Sequence, residues 1–401
     1  MTARTHGVAA RLRPFGESVF AAISRLAAEH GAVNLGQGFP DFDGPEEVRE
    51  AGKRAIDAGF GQYGRSIGLP DLNRAVAARW AALGKFEVDP DAEVTVTHGC
   101  TEAIAAAMIG LVGPGDEVVL VEPFYDSYPA CVAMAGGTVR TVRLRAPRFE
   151  FPLEELARAV GPRTKAIVVN SPHNPAGRVF TRAELEGIAA VARAAGCLVV
   201  SDEVYEEIWY GERPLSIATL PGMRERTVTL SSLGKTFSLT GWKVGWAIAP
   251  PALTAGIRAA HQFLTFCGAT PLQRAAADAL RAPAAYYESL RADYRERRRL
   301  MLAALRGAGF EPHEPEGSYF ALCGIEGYGH ADDASFARHL VAGVGVAAIP
   351  CSAFYAPGPD GSRDPEARSM LRFAFCKRHE TIAAAGERLR ALTSSARPPR
   401  P

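Results

Sequence analysis

Two cations eight residues apart dominate the chemistry legible in this chain, Lys235 and Lys243 in Ser231-Ser-Leu-Gly-Lys-Thr-Phe-Ser-Leu-Thr-Gly-Trp-Lys-Val-Gly-Trp246. A lysine amine can form a Schiff base with a carbonyl carbon, so Lys235 is a candidate covalent anchor. Ser232 and Lys243 offer a hydroxyl donor and a point charge for an anion such as a phosphate. Glycines at 234, 241 and 245 argue for a backbone drawn tightly around a ligand.

Four further groups stand where apolar runs end. Leu198-Val-Val-Ser-Asp202 puts a carboxylate after a buried run, with Tyr205 three residues on; alone, Asp202 would read as a helix cap or loop acid. Ala166-Ile-Val-Val-Asn170 runs into Ser-Pro-His-Asn174-Pro-Ala-Gly177, whose prolines exclude helix and hold the Asn174 amide in place. Thr97-His-Gly99-Cys100-Thr101 opens a helix directly after a strand, presenting unpaired amides and the positive dipole end to an anion. Phe124, in Glu122-Pro-Phe-Tyr-Asp-Ser-Tyr128, is an aromatic placed to stack on a ring. Arg372, inside the apolar Leu371-Arg-Phe373, makes sense only with an anionic partner, either a substrate carboxylate or an internal one.

This set fits pyridoxal phosphate (PLP). Lys235 would supply the Schiff base and Asp202 would keep a pyridine nitrogen protonated. Tyr205 and Asn174 would bond the ring's 3-oxygen, and Arg372 would take the substrate α-carboxylate.

The elements that must hold these groups alternate from about residue 90 to 250. Strands are expected at Val94–Thr97, Glu117–Val121, Ala166–Asn170, Leu198–Ser201, Thr227–Leu230 and Val244–Ala249, with helices at Thr101–Leu111, Pro152–Val160 and Arg182–Ala195. That rhythm predicts βαβ units around a mostly parallel sheet, in which ligands gather beyond the carboxyl ends of the strands. After Pro283 the pattern changes to one long polar helix, Ala284–Arg306, and short strands near Tyr319–Leu322, Val346–Ile349 and Met370–Phe375. The expected division is a large domain over 40–283 and a discontinuous small domain from 8–39, with its helix around Val19–Ala28, and 284–393. A flexible tail is expected over 394–401.

Bulk properties narrow the partners. With 401 residues the chain can bury a large core, and 45 Lys plus Arg nearly balance 44 Asp plus Glu, so no global field favours nucleic acid or membrane. Seven dispersed cysteines without a Cys-x-x-Cys pair argue against disulfides and zinc and for the reducing cytoplasm. No apolar run approaches a membrane span, and the start lacks a signal-like apolar segment.

The lysine run, Val33-Asn-Leu-Gly-Gln-Gly-Phe-Pro-Asp41, Gln62-Tyr63, Glu122-Pro-Phe, Asn170–Gly177, Ser201–Tyr205, Ala348-Ile-Pro and Arg372-Phe together resemble fold-type I PLP aminotransferases of classes I and II over roughly residues 11–392. The chain closely resembles the subgroup of kynurenine aminotransferase, glutamine transaminase K and bacterial methionine aminotransferase. It implies an α/β fold with a mostly parallel seven-stranded sheet plus a smaller α/β domain. It also implies a homodimer in which Tyr63 of one subunit reaches the phosphate of the other. Gly99, Cys100, Thr101, Ser232 and Lys243 would hold that phosphate, and Phe124 would stack on the ring. On the substrate side the resemblance implies Phe20, Gly38, Asn170, Asn174, Phe266 and Arg372.

The activity so implied is ping-pong transfer of an amino group between an amino acid of glutamine, methionine or aromatic type and a 2-oxo acid. Two departures weaken a kynurenine preference: Phe20 where that subgroup carries Trp, and Cys267 where it carries His. The opening Leu12-Arg-Pro-Phe-Gly-Glu-Ser-Val-Phe20 and Phe124-Tyr-Asp-Ser-Tyr128 also resemble actinobacterial N-succinyldiaminopimelate aminotransferases. Arg65 is a candidate for an acidic substrate side chain. A cysteine-conjugate β-lyase is a further alternative; a PLP-sensing regulator is disfavoured because no helix-turn-helix pattern precedes Val33.

Overall fold

The computed structural model describes residues 7–358, 362 and 364–392; the expected tail lies outside them. The chain enters through α1 (Val19–Glu29), whose Ser18 cap accepts from the Phe20 amide at 3.2 Å and whose inner face buries Ile23 and Ala27. A short strand, β1 (Val33–Asn34), and two helices, α2 (Glu46–Asp57) and α3 (Pro70–Ala82), follow.

The alternating middle of the chain then builds one sheet of seven strands: β2 (Val94–His98), β3 (Glu117–Glu122), β4 (Thr138–Arg143), β5 (Thr164–Asn170), β6 (Leu198–Asp202), β7 (Thr227–Ser232) and β8 (Val244–Ile248). Their order is β2-β8-β7-β6-β5-β3-β4, with every pairing parallel except the two that β8 makes. The central strands are buried on both faces, which is why they read as continuous apolar runs. Val118, Leu120, Val168 and Val200 pack under α4 (Gly99–Leu111) and α5 (Ser127–Ala135), while Val119, Val121, Ile167, Val169 and Val199 face α6 (Leu153–Ala159) and α7 (Arg182–Ala195). Edge strand β4 and helix α5 were not foreseen. The first sets two valines among Thr and Arg, three of them exposed, without strict alternation, and the second is a short apolar helix with no polar stripe.

A four-residue helix, α8 (Leu233–Thr236), carries Lys235 directly off β7; α9 (Pro251–Leu264) and α10 (Thr270–Leu280) lead to the long α11 (Ala284–Gly307). Beyond it β9 (Pro312–His313), β10 (Phe320–Gly324), α12 (Asp333–His339), β11 (Val346–Ala347), β12 (Ile349–Pro350), β13 (Met370–Ala374) and α13 (His379–Leu389) complete the described chain. The run Val346–Ile349, expected as one strand, is two. β11 pairs in parallel with β1, whereas β12 joins the antiparallel sheet β12-β13-β10-β9, so the chain changes partner at Ala348. The β1–β11 pairing ties the segment around β1 to the carboxyl-terminal elements.

Candidate active site

The carboxyl ends of the strands meet at a cavity of about 350 Å³, and there the expected groups converge. Asn170 closes β5, Asp202 closes β6, Ser232 closes β7, and Gly99 starts α4 directly after β2. Of the residues expected here, Gly99, Cys100, Thr101, Asn170, Asn174, Asp202, Tyr205, Ser232, Lys235, Lys243, Phe20, Gly38 and Arg372 all line its wall.

One end is shaped for an anion. Gly99 has φ +70°, a left-handed turn that lets α4 begin with its first amides facing the cavity. Across from it β8 comes so close that a Cβ on Gly245 would lie 2.6 Å from the Cys100 nitrogen. Lys243 Nζ stands 3.2 Å from Thr101 Oγ1, with Ser232 nearby on the wall.

At the floor, Asp202 is buried and accepts from Tyr128 Oη at 2.7 Å, the Val204 amide at 3.2 Å and Cys100 Sγ at 3.7 Å. Burial pushes its carboxyl above the ordinary range despite these donors. No cation of this chain forms an ion pair with Asp202 among the described residues, which leaves the carboxylate open to a cationic group of a ligand. Asn170 Nδ2 donates to the Asp202 carbonyl at 2.9 Å and its Oδ1 accepts from the Asn174 amide at 2.7 Å, locking both turns together.

Lys235 is surrounded by protein. Its Nζ donates to the Gly38 carbonyl at 3.3 Å, which Tyr319 Oη also contacts at 2.8 Å, and it lies 5.7 Å and 5.6 Å from the Tyr205 and Tyr319 ring centres. Burial pushes its pKa down, favouring the neutral, nucleophilic amine. Arg372, 1 % exposed, donates from Nη1 to Asn174 Oδ1 at 2.9 Å and from Nη2 to the Gly36 carbonyl at 2.8 Å. Its Nε has no partner, and the rings of Phe320, Phe354 and Phe20 lie 4.1 Å, 4.9 Å and 5.0 Å from its Cζ. Both acceptors are neutral, and no carboxylate pairs with it among the described residues, so the internal ion pair is absent.

Three expectations need correction or relocation. Phe124 does not reach the cavity: it is 3 % exposed, its amide donates to the Phe354 carbonyl at 2.8 Å, and its ring packs in the core beneath α4. The aromatics of this segment that line the wall are its neighbour Tyr125 and Tyr128. Arg65 is engaged elsewhere, by Asp91 at 2.8 Å and the Gly68 carbonyl at 3.0 Å. Tyr63, 84 % exposed, and Phe266, 39 % exposed, lie outside the wall built by one chain and meet edge to face at 5.3 Å. Tyr128 was missed; its only signal was a second tyrosine three residues after Tyr125.

An anion cup with a cation, a buried carboxylate short of a positive partner, a desolvated amine between them and an orphaned guanidinium nitrogen together fit PLP and an amino acid. The chain belongs to the aminotransferase class I and II family, whose model matches residues 30–389, and it is accordingly a PLP-dependent aminotransferase of fold type I. It is 47% identical over 388 residues, 95% of this chain and 98% of the relative, to a probable N-succinyldiaminopimelate aminotransferase, DapC, of Mycobacterium tuberculosis. It is 39% identical over 383 residues to the methionine aminotransferase of Escherichia coli, covering 95% of this chain and 97% of that one. The solved N-succinyldiaminopimelate aminotransferase from Mycobacterium tuberculosis superposes with a TM-score of 0.92 at 46% identity, over 96% of this chain and 100% of that structure.

Proposed function

We propose that this aminotransferase takes amino donors with neutral side chains, of glutamine, methionine or aromatic type. The observation that carries the proposal is the aromatic share of the cavity wall. Phe20, Phe39, Tyr125 and Phe320 line it, Phe20 and Phe320 beside Arg372, and the cations among the lining residues are Lys235, Lys243 and Arg372. With Lys243 at the phosphate and Arg372 at the α-carboxylate, a distal carboxylate would have no cation of its own in this chain.

When bound, PLP supplies an aldehyde carbon for amine exchange and a protonated ring that draws electrons from the substrate's α-carbon. Thr101 Oγ1, Ser232 and Lys243 would hold the phosphate, together with the first amides of α4. Asp202, oriented by Tyr128 and Cys100, would keep the ring nitrogen protonated. Asn174 and Tyr205 would donate toward the 3-oxygen, and Tyr125 would lie against the ring. Lys235 would be the covalent anchor, and its neutral amine would take the proton from the substrate Cα and return it. Arg372 presents its free Nε and an Nη to the α-carboxylate, which fixes the Cα–H bond toward that amine.

A homodimer completes this reading. Tyr63, Phe263 at 89 % exposure, Leu264 and Phe266 leave an apolar surface that a second copy would cover, with Tyr63 reaching the partner's phosphate. Seven unpaired cysteines support a reducing, cytoplasmic setting, and no described helix is long and apolar enough to cross a membrane.

A second reading, N-succinyldiaminopimelate as donor, is favoured by the 47% relative. Single-turnover rates with methionine, glutamine, phenylalanine, kynurenine, glutamate and N-succinyl-diaminopimelate separate the two. Neutral donors at least tenfold faster than the succinylated one support the proposal, and the reverse order installs the second reading.

A further inference from the structure

The turn Asp202–Glu207 has two sides. Asp202, Val204 and Tyr205 line the active-site cavity, while Glu203 and Glu206 line a separate cavity of about 530 Å³ together with Lys85. Lys85 comes from the loop after α3, its side chain 9% exposed, with Nζ 3.9 Å from the Trp80 ring centre. That one ammonium donates to Glu203 Oε2 at 2.9 Å and to Glu206 Oε2 at 3.2 Å. The remaining oxygens of the two acids are also used. Glu203 Oε1 accepts from Ser201 at 2.9 Å and Ser216 at 2.6 Å, and Glu206 Oε1 accepts from Ser231 at 3.0 Å. Burial alone would push the Lys85 pKa down, but the two carboxylates more than offset it and leave it raised.

We propose that Lys85 is a positioning residue for the aminotransferase site, acting from the far side of the turn. Through Glu203 it holds the backbone that presents Asp202 and Tyr205. Through Glu206 and Ser231 it holds the end of β7, where Ser232 and then Lys235 follow. Without the ammonium, two carboxylates three residues apart in this turn are left with no ion-pair partner among the described residues, so they must separate or take up a proton. Either response moves the turn carrying two of the groups that meet the PLP ring. The adjoining cavity gives them room, so the variant can fold with its site displaced. This inference rests on the assignment of the first cavity to PLP.

The test uses the full-length protein loaded with PLP. Lys85→Met is expected to weaken PLP binding by about tenfold, the scale on which losing a group behind a bound ligand's partners acts. It should also move the pH midpoint of the visible absorbance by about half a unit or more and lower kcat more than it raises KM. Lys85→Arg, which keeps the charge, should recover the midpoint. Leu389→Ala, a core truncation in α13, should lower Tm and leave the midpoint in place. If Lys85→Met does not fold, Glu206→Gln carries the same two readouts through the Ser231 link. A Lys85→Met or Glu206→Gln protein that keeps the wild-type midpoint and PLP affinity, or that loses only Tm as Leu389→Ala does, overturns the proposal. A wild-type protein with no visible band would instead overturn the PLP assignment itself.

Discussion

Arg372→Lys tests how the substrate is held, because it keeps the charge and removes the fork. The guanidinium is anchored by two neutral acceptors, Asn174 Oδ1 and the Gly36 carbonyl, and its Nε is left without a partner. A lysine amine cannot reach both acceptors and still present two donors to a carboxylate. The exchange forfeits one charge-assisted hydrogen bond to substrate, worth about 1.5–3 kcal/mol, and strands one buried acceptor at about 1–3 kcal/mol. At about 1.36 kcal/mol per factor of ten, kcat/KM for amino acids should fall by roughly 10²–10⁴-fold. PLP affinity should change by no more than about threefold, since Arg372 meets none of the proposed phosphate or ring-nitrogen partners and bonds only the carbonyl oxygen of Asn174, whose nitrogen is the proposed donor. The assay is the half-reaction followed by the cofactor's absorbance, run in parallel with the matching amine that lacks the carboxylate. The amine's slow rate should be little altered, so selectivity for the amino acid collapses. Retention of more than a third of kcat/KM, or an equal loss for the amine, would refute Arg372 as the carboxylate partner.

Three further outcomes are expected. Gly245→Ala should weaken PLP binding by about 1–3 kcal/mol, because its methyl would displace the Gly99–Cys100 backbone; titration of the apoprotein with PLP checks this, and unchanged affinity would count against the anion cup. His261→Asn should destabilise the protein more at pH 6 than at pH 9. Burial pushes the His261 pKa down, but its bond to the Glu102 carboxylate at 2.6 Å wins and leaves it raised. The contribution is therefore full below the unfolded value near 6.5 and is lost as pH rises through the higher folded value. Thermal melts of both proteins should show a Tm gap that narrows with alkalinity; a constant gap would mean that packing alone is lost. Tyr63→Ala should weaken PLP binding while leaving far-UV dichroism unchanged, and equal affinity would separate this exposed ring from the phosphate.

The strand ends were the most legible part of the chain, because strands buried on both faces read as apolar runs that break off at a polar side chain. Asn170, Asp202 and Ser232 each close their strand. Adjacent aromatics were harder. Phe124 and Tyr125 carry the same local signal, and which one enters the cavity depends on a backbone bond from Phe124 to Phe354, more than two hundred residues away. Tyr128 and Lys85 were hidden for a related reason: their meaning lies in carboxylates brought to them by other elements. Tyr63 and Phe266 carry no destination within one chain.

The central claim is that Lys235 anchors PLP in this cavity. The direct measurement is borohydride reduction of the purified, PLP-loaded protein followed by mass mapping of its peptides. The structure predicts one pyridoxyl adduct, on the peptide containing Lys235, and none in Lys235→Ala. An adduct on Lys243 or another lysine, or no adduct from a protein that still transaminates, would contradict the account.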